Sequence, residues 1–216
     1  MRTLAELWPP YAVRITEHEL TLTVATDEDL PRLVDLALSG IHPPELMPFA
    51  VPWTDADPDH LPANMIRHFS SVRAEFRPEK FDLLFAVRID DTVIGIQAFH
   101  TTDFAVTRTG ETGSWLGRSY QGRGYGTRMR RAACSFAFDE LGATEITSGA
   151  FHDNPRSLAV SRKVGYQPNG TVRMQRRSGE LATNYKLVLT PSTFIRGEPI
   201  TVSGATALRA FLGLPA

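Results

Sequence analysis

A glycine-rich turn at residues 117–127 has the residue types best suited to chemistry. It reads Gly-Arg-Ser-Tyr-Gln-Gly-Arg-Gly-Tyr-Gly-Thr and precedes an amphipathic segment. Glycine lets the backbone approach a ligand closely, and free N–H groups in the first turn of a helix favour phosphate. Arg118 and Arg123 add positive charge. The turn therefore predicts a site for a phosphate or pyrophosphate group.

The spacing within this turn differs from two common nucleotide loops. It matches neither G-x-x-x-x-G-K-[ST] nor G-x-G-x-x-G, which argues against an ordinary triphosphate or dinucleotide loop. A glycine-rich turn can also be purely structural. A structural turn and a nucleotide-phosphate binder therefore remain as alternatives at this point.

Apolar spacing predicts the elements that must position this turn. Alternation indicates strands, and a three-to-four-residue repeat indicates helices. The predicted strands are 18–24, 82–89, 93–103, 111–116, 145–151 and 185–189, and the helices are 30–37, 61–76, 124–141 and 154–164. This order predicts one mixed α/β domain over residues 1–189. Residues 190–216 are expected to form a C-terminal tail with a short helix at 205–212.

Residues 41–59 form a proline-rich loop that is too apolar for a simple linker. Five prolines exclude a regular helix or a central strand, while Met47, Phe49, Val51 and Trp53 need apolar surroundings. Such a loop either covers the core or forms a wall of a binding site. We take Trp53 as a candidate substrate-binding residue.

Composition and charge exclude several classes of protein. The 216 residues are 42% hydrophobic with a net charge of −1, which argues against disorder and gives no general reason to bind nucleic acid. No apolar stretch could span a bilayer and no signal peptide is visible, so we expect no membrane partner and a cytoplasmic location. Cys134 is the single cysteine and the six histidines lack ligand spacing, so no metal is expected. His100 is expected to be structural or exposed.

Charge is distributed unevenly along the chain. Residues 26–60 hold eight acidic residues and one basic residue, whereas residues 112–138 hold five arginines and no acid. Helix faces of opposite sign would explain this pattern. The alternative is a basic site for an anionic cofactor that faces an acidic site for a cationic substrate.

Two segments resemble motifs of the GNAT acetyltransferase superfamily. Residues 121–126 (Gln-Gly-Arg-Gly-Tyr-Gly) are similar to its Gln/Arg-x-x-Gly-x-Gly/Ala pyrophosphate motif, and residues 113–116 and 120–127 resemble its Rim-type branch. Residues 154–157 (Asn-Pro-Arg-Ser) and 162–166 resemble that branch's Asn-x-x-Ser … Lys-x-Gly-Phe segment. That branch includes acetyltransferases of ribosomal-protein N-termini. The resemblance covers about residues 20–189 and leaves the tail and the proline-rich loop unexplained.

The resemblance implies a GNAT fold and an acyl-CoA site. The fold would be a mixed, mostly antiparallel sheet of about seven strands, flanked by helices and splayed to hold acyl-CoA. The pantetheine arm would pair with backbone near residues 115–117, and the pyrophosphate would lie on residues 121–127. The implied cofactor-binding residues are Trp115, Leu116, Gly117, Gln121, Gly122, Arg123, Gly124, Tyr125, Gly126, Thr127, Asn154 and Ser157.

Glu111 and Ser157 are the candidate catalytic residues. Glu111 matches the glutamate of the Rim-type Glu-x-Gly-x-Trp pattern and would act as base, through water. Ser157 would protonate or orient the thiol, and a backbone N–H near Leu116 would stabilise the oxyanion. A solvated strand-edge glutamate, an ordinary polar residue in a first helical turn, and an N-cap role for Asn154 are the alternatives.

We therefore expect an acyl-CoA-dependent N-acyltransferase. The donor would be acetyl-CoA, with a longer acyl group such as succinyl left open, and the acceptor would be a protein N-terminus or a small amine. A homodimer is kept among the expected partners. A catalytically idle acyl-CoA-binding or sensor module is the alternative function.

Overall fold

The computed structural model describes residues 1–215 and contains one large β-sheet. The nine strands are β1 (Arg14–Glu17), β2 (Leu20–Val24), β3 (Lys80–Ile89), β4 (Thr92–Thr102), β5 (Thr109–Leu116), β6 (Glu145–Phe151), β7 (Gln167–Arg177), β8 (Glu180–Leu189) and β9 (Thr201–Ser203). Their order across the sheet is β7-β8-β6-β5-β4-β3-β2-β1-β9. This open sheet confirms the predicted mixed α/β fold.

Helices cover both faces of the sheet. They are α1 (Leu4–Leu7), α2 (Leu30–Leu38), α3 (Leu61–Glu75), α4 (Phe104–Thr107), α5 (Tyr125–Ser135), α6 (Pro155–Val164) and α7 (Ala205–Phe211). The predicted helix 124–141 is α5 followed by a π-helical turn, Phe136–Glu140. Buried residues of α2 and α3 pack on one face, and those of α5, α6 and α7 pack on the other.

The pairing of β5 with β6 is parallel, whereas every other strand pair is antiparallel. The connection between these two strands contains α5, as a parallel pair requires a crossover. Their pairing ends at Thr112 and Ser148. Both strands continue, to Leu116 and Phe151, without pairing to each other. The sheet therefore splays open between the ends of β5 and β6.

The sheet has nine strands rather than about seven because three strands lack an apolar alternation. β1 and β9 have only four and three residues. β7 is an edge strand whose first seven residues are exposed, so its sequence Gln167–Arg177 is polar. β8 begins at Glu180, five residues before the predicted start, because its first buried residues are Ala182 and Asn184 rather than large apolar side chains.

The residues after Leu189 pack on the same sheet and core as the rest of the chain. β9 pairs with β1 through Thr16 and Thr201. The predicted short helix is present as α7, and Leu208 is fully buried in the cluster that α5 also covers. The tail thus continues the sheet instead of extending away from it.

Candidate functional site

The glycine-rich turn presents a row of unpaired backbone donors. Within residues 1–215, the N–H groups of residues 122–126 donate to no protein acceptor. Gly122 and Gly124 have φ values of 75° and 86°, which are unfavourable for other residues. The position of an added Cβ at either glycine has no protein atom within 4 Å. These donors, next to the N-terminus of α5, can hold the oxygens of a pyrophosphate.

The five arginines of residues 112–138 have different roles. Arg128 bonds Glu17 and Glu19 on the β1–β2 hairpin, and Arg131 donates to the carbonyl oxygen of Lys163. Arg118 and Arg123 are exposed beside the turn. The basic site predicted from charge therefore reduces to these two exposed arginines near the free N–H groups.

The Gln121 side chain ties the turn to three other segments. Its Nε2 donates to the carbonyl oxygens of Leu116 and Ile41 at 2.9 and 2.7 Å. Its Oε1 accepts from Arg156 of α6 at 2.9 Å. The amide is thereby committed to protein contacts, so Gln121 holds the turn in place. Of the other predicted cofactor residues in the turn, Tyr125 packs on the core and Thr127 donates its N–H to Gly124.

The edge of β5 that is not paired with β4 faces the gap beside β6. The Gly117 N–H donates to Ile94 on β4 at 2.9 Å. Because N–H directions alternate along a strand, the Leu116 N–H points away from β4 and into the gap. The Gly117 backbone packs closely, since an added Cβ would lie 2.6 Å from Leu36 Cδ2 and would displace that side chain. The backbone near residues 115–117 is thus placed where a pantetheine arm could pair with it.

Arg130, the remaining one of the five arginines of residues 112–138, lies where the two strands separate. Its guanidinium donates to the hydroxyls of Ser114 on β5 and Ser148 on β6, at 2.8 and 3.3 Å. The side chain is 4% exposed, and its Nε has no partner within residues 1–215. This buried cation therefore bridges the strands at the base of the gap. The run of five arginines indicated a basic site, but not that Arg130 would be buried between these strands.

Cys134 lies one turn further along α5 and is chemically inert in this fold. The thiol is fully buried, and burial raises its pKa to about 11. Its Sγ lies 3.6 Å from the Tyr166 hydroxyl, which also contacts Thr112 Oγ1 at 2.6 Å. A thiol with so high a pKa is a poor nucleophile at neutral pH, so Cys134 belongs to the core.

Asn154 and Ser157 lie at the start of α6. The Asn154 Oδ1 accepts from the Ser157 N–H at 3.1 Å, which is the N-cap role named as the alternative. The Ser157 hydroxyl is half-buried and has no protein hydrogen-bond partner within residues 1–215. Ser157 therefore remains free to bond a ligand from the face of the sheet that α5 and α6 cover.

Glu111 lies on the opposite face, towards α2 and α3. It shares this side of β5 with Gly113 and Trp115, because alternate residues point the same way. Trp115 packs in the apolar cluster of α2 and α3, which fixes the face. The Glu111 side chain is exposed. The two candidate catalytic residues would thus reach the gap from opposite faces.

The proline-rich loop packs against Trp115. Trp53 lies in a short 3-10 turn, Trp53–Asp55, with its ring centroid 5.7 Å from that of Trp115 and 5.3 Å from that of Phe49. Its side chain is half-buried, so the loop both covers the core and stands beside the gap. Arg177 at the end of β7 fixes the loop by bonding Asp55 at 2.7 Å and the Pro44 carbonyl oxygen at 2.9 Å.

Two further properties of residues 1–215 bear on the site. They contain no group of three or more His, Cys, Asp or Glu side chains arranged to hold a metal ion. None of their helices is long and apolar enough to cross a membrane.

Comparison with known proteins identifies the family. The family described as Acetyltransferase (GNAT) domain matches residues 19–167. The chain therefore belongs to the GNAT acetyltransferase family, a class of N-acyltransferase enzymes that use acetyl-CoA. This confirms the resemblance drawn from the turn and from the Asn154–Ser157 segment. The free N–H groups and the splayed strands fit the pyrophosphate and pantetheine of such a co-substrate.

Individual relatives with ribosomal or Rim-type names are similar to part of this chain's sequence or to its fold. YdaF from Bacillus subtilis (strain 168), named as a ribosomal N-acetyltransferase, is 30% identical over 84 residues, which are 39% of this chain and 45% of YdaF. The match thus spans less than half of that relative. Mycobacterium smegmatis RimJ in complex with CoA-disulfide superposes with a TM-score of 0.72 at 20% identity, over 94% of this chain and 95% of RimJ. RimL, the ribosomal L7/L12 alpha-N-protein acetyltransferase in complex with CoA, superposes with a TM-score of 0.64 at 15% identity, over 81% of this chain and 95% of RimL.

Proposed function

We propose that this protein transfers an acetyl group from acetyl-CoA to the N-terminal amine of a protein. One observation carries the proposal: five unpaired backbone N–H groups open towards solvent at the start of α5, beside the point where β5 and β6 separate. The names of YdaF and RimL, which refer to ribosomal acetylation, support a protein acceptor. Acetyl-CoA supplies the acyl group as an activated thioester.

Three groups around the gap have separate roles in the reaction. Glu111 accepts the proton that the substrate ammonium must lose before its nitrogen can attack the thioester. The Leu116 N–H donates to the carbonyl oxygen as negative charge develops on it. Ser157 orients or protonates the sulfur from the other face. Positioning of amine and thioester supplies the larger part of the rate, because the donor is already activated.

The acceptor side carries the negative charge expected for an amine substrate. Residues 26–60, which supply α2 and the proline-rich loop, contain eight acidic residues and one basic residue. Within this region three of the eight acids are already paired: Asp27 with Arg73, Asp29 with Arg88 and Asp55 with Arg177. Glu111 is exposed on the same face. A cationic N-terminus is therefore favoured there over an acidic or neutral acceptor. The cytoplasmic location and a homodimer stay predictions.

The test uses purified protein, acetyl-CoA and paired peptides. One peptide has a free N-terminus and no lysine, and its partner has a blocked N-terminus and one lysine. CoA release is followed with a thiol reagent, and transfer is confirmed by peptide mass. We expect turnover with the free N-terminus. Turnover with the lysine peptide but not with the free N-terminus would show that the acceptor is an internal lysine.

Two other outcomes would replace the proposal. Tight CoA binding without CoA release across a wide amine panel would identify an acyl-CoA-binding or sensor module. Displacement of CoA by ATP at lower concentration than by acetyl-CoA would identify a nucleotide-phosphate binder. Succinyl-CoA tested in the same assay determines whether the acyl group is acetyl or longer.

A further inference from the structure

Three ionisable side chains form a row across neighbouring strands on the acceptor face. In the strand register Asp82 of β3 is paired with His100 of β4, and His100 is paired with Glu111 of β5. Directly opposed residues in antiparallel strands point to the same face with Cβ atoms about 5 Å apart. The row therefore ends at the residue proposed as the base.

The His100 ring is oriented along this row. Its Nδ1 lies 3.1 Å from Asp82 Oδ1. Its Nε2 lies on the β5 side, 3.7 Å from where a Cβ at Gly113 would be. A carboxylate next to Nδ1 favours the tautomer with the proton there, which leaves the Nε2 lone pair facing β5. Gly113 supplies the space for this ring because it has no side chain.

The Asp82 end and the middle of the row are open to water. The His100 side chain is 42% exposed and that of Asp82 is 28% exposed. Asp82 also lines a cavity of about 210 Å³ together with His68 and Glu75 of α3 and Lys80 of β3. Protons reaching His100 can therefore pass to solvent.

The titratable groups near His100 come from three packed elements. They are Asp82 on β3, Glu111 on β5 and His68 on α3. Desolvation lowers the pKa of the His68 imidazole, Asp82 opposes this, and His100 adds to it. His68 therefore favours its neutral form, which leaves the Asp82 and Glu111 carboxyl groups as the acidic neighbours of His100.

We infer that His100, oriented by Asp82, is a proton-relay residue that returns Glu111 to its carboxylate form in each turnover. This inference rests on the proposed function. The acceptor N–H bond breaks and the proton passes to the Glu111 carboxylate. No direct contact joins Glu111 and His100 within residues 1–215, so the Glu111 O–H bond then breaks as a bridging water carries that proton to His100 Nε2. The imidazolium, facing Asp82, releases a proton to water, so every group returns to its starting state.

Removal and replacement of the imidazole test the relay. His100→Ala should lower kcat/KM at pH 7 by about 10²-fold, the lower end of acid–base effects, with unchanged CoA affinity. Added imidazole should restore most of the loss, since it fits the exposed space and carries the proton instead. His18→Asn, in the β1–β2 turn, is the matched control and should keep the wild-type rate and show no rescue.

Asp82→Asn provides a second variant that keeps the ring. An amide in place of the carboxylate weakens the contact that orients the ring, so kcat/KM should fall while CoA affinity is unchanged. Wild-type activity in His100→Ala, a loss that imidazole does not relieve, or wild-type kcat/KM in Asp82→Asn would overturn the relay. Absence of any acetyl transfer by the wild-type protein would instead refute the proposed function.

Discussion

A methyl group at Gly124 should selectively weaken CoA binding. Gly124 has φ 86° and no protein atom within 4 Å of the added Cβ, which would stand among the unpaired N–H groups of residues 122–126. Each hydrogen bond to a charged group contributes about 1.5–3 kcal/mol. Loss of one such bond in Gly124→Ala should raise the Kd for CoA by about 10- to 100-fold, at about 1.4 kcal/mol per factor of ten.

Backbone strain must be separated from this effect. A non-glycine residue in the left-handed region costs about 1–2 kcal/mol, which lowers the melting temperature by roughly 2–8 °C in a domain of this size. Gly170, on the edge strand β7, has φ 95° and equally open surroundings. Gly170→Ala should therefore lose similar stability without weakening CoA.

Calorimetric titration with CoA and a melting curve, measured for both variants, separate the loss of phosphate contacts from backbone strain. The reasoning predicts equal melting losses but different affinities. If Gly124→Ala and Gly170→Ala bind CoA as tightly as the wild type does, the free N–H groups of the turn do not hold the phosphates. If both lose affinity equally, the effect is general destabilisation.

Three further predictions concern other parts of the chain. Glu111→Gln should reduce kcat/KM at neutral pH by about 10²–10⁴-fold, and the loss should shrink as pH rises and free amine appears. If the variant keeps the wild-type kcat/KM at every pH, Glu111 is not the base. Trp53→Ala should raise the acceptor KM several-fold while calorimetry shows unchanged CoA affinity, because the ring stands beside the gap against Trp115. The hydrogen bond from Arg128 lowers the pKa of Glu19 from 4.5 to about 2. The Arg128–Glu19 pair therefore stabilises the fold above pH 4.5, and this contribution is lost as pH falls towards 2. The melting-temperature difference between the wild type and Arg128→Ala should narrow over that range, and a constant difference would contradict the pairing.

The parts of the site that depend on local signals could be predicted from the sequence. Asn154 followed by Pro155 predicts a helix start, and Gly165 with φ 105° ends the same helix. The turn before α5 needs glycines with positive φ, which the sequence supplies. Such signals act within a few residues and do not require knowledge of strand order.

The contacts that depend on strand order could not be predicted in the same way. Arg128 and Arg130 are two residues apart, yet one bonds two glutamates of the β1–β2 hairpin and the other bonds serines of β5 and β6. His100 becomes a neighbour of Glu111 only through the β4–β5 register. Sequence spacing does not reveal the partners of these three residues, because the partners lie on other strands or on a hairpin.

The pairing of β1 with β9 has a consequence for the order in which the chain can fold. Arg14 is paired with Ser203, so this contact joins segments from nearly opposite ends of the sequence. Closing so long a loop costs much chain entropy and is regained only when the rest of the sheet is in place. During synthesis, the outer edge of β1 and the core beneath α7 therefore stay uncovered until residues 201–211 emerge. This edge is the part of the domain where chaperone contact or premature aggregation would occur.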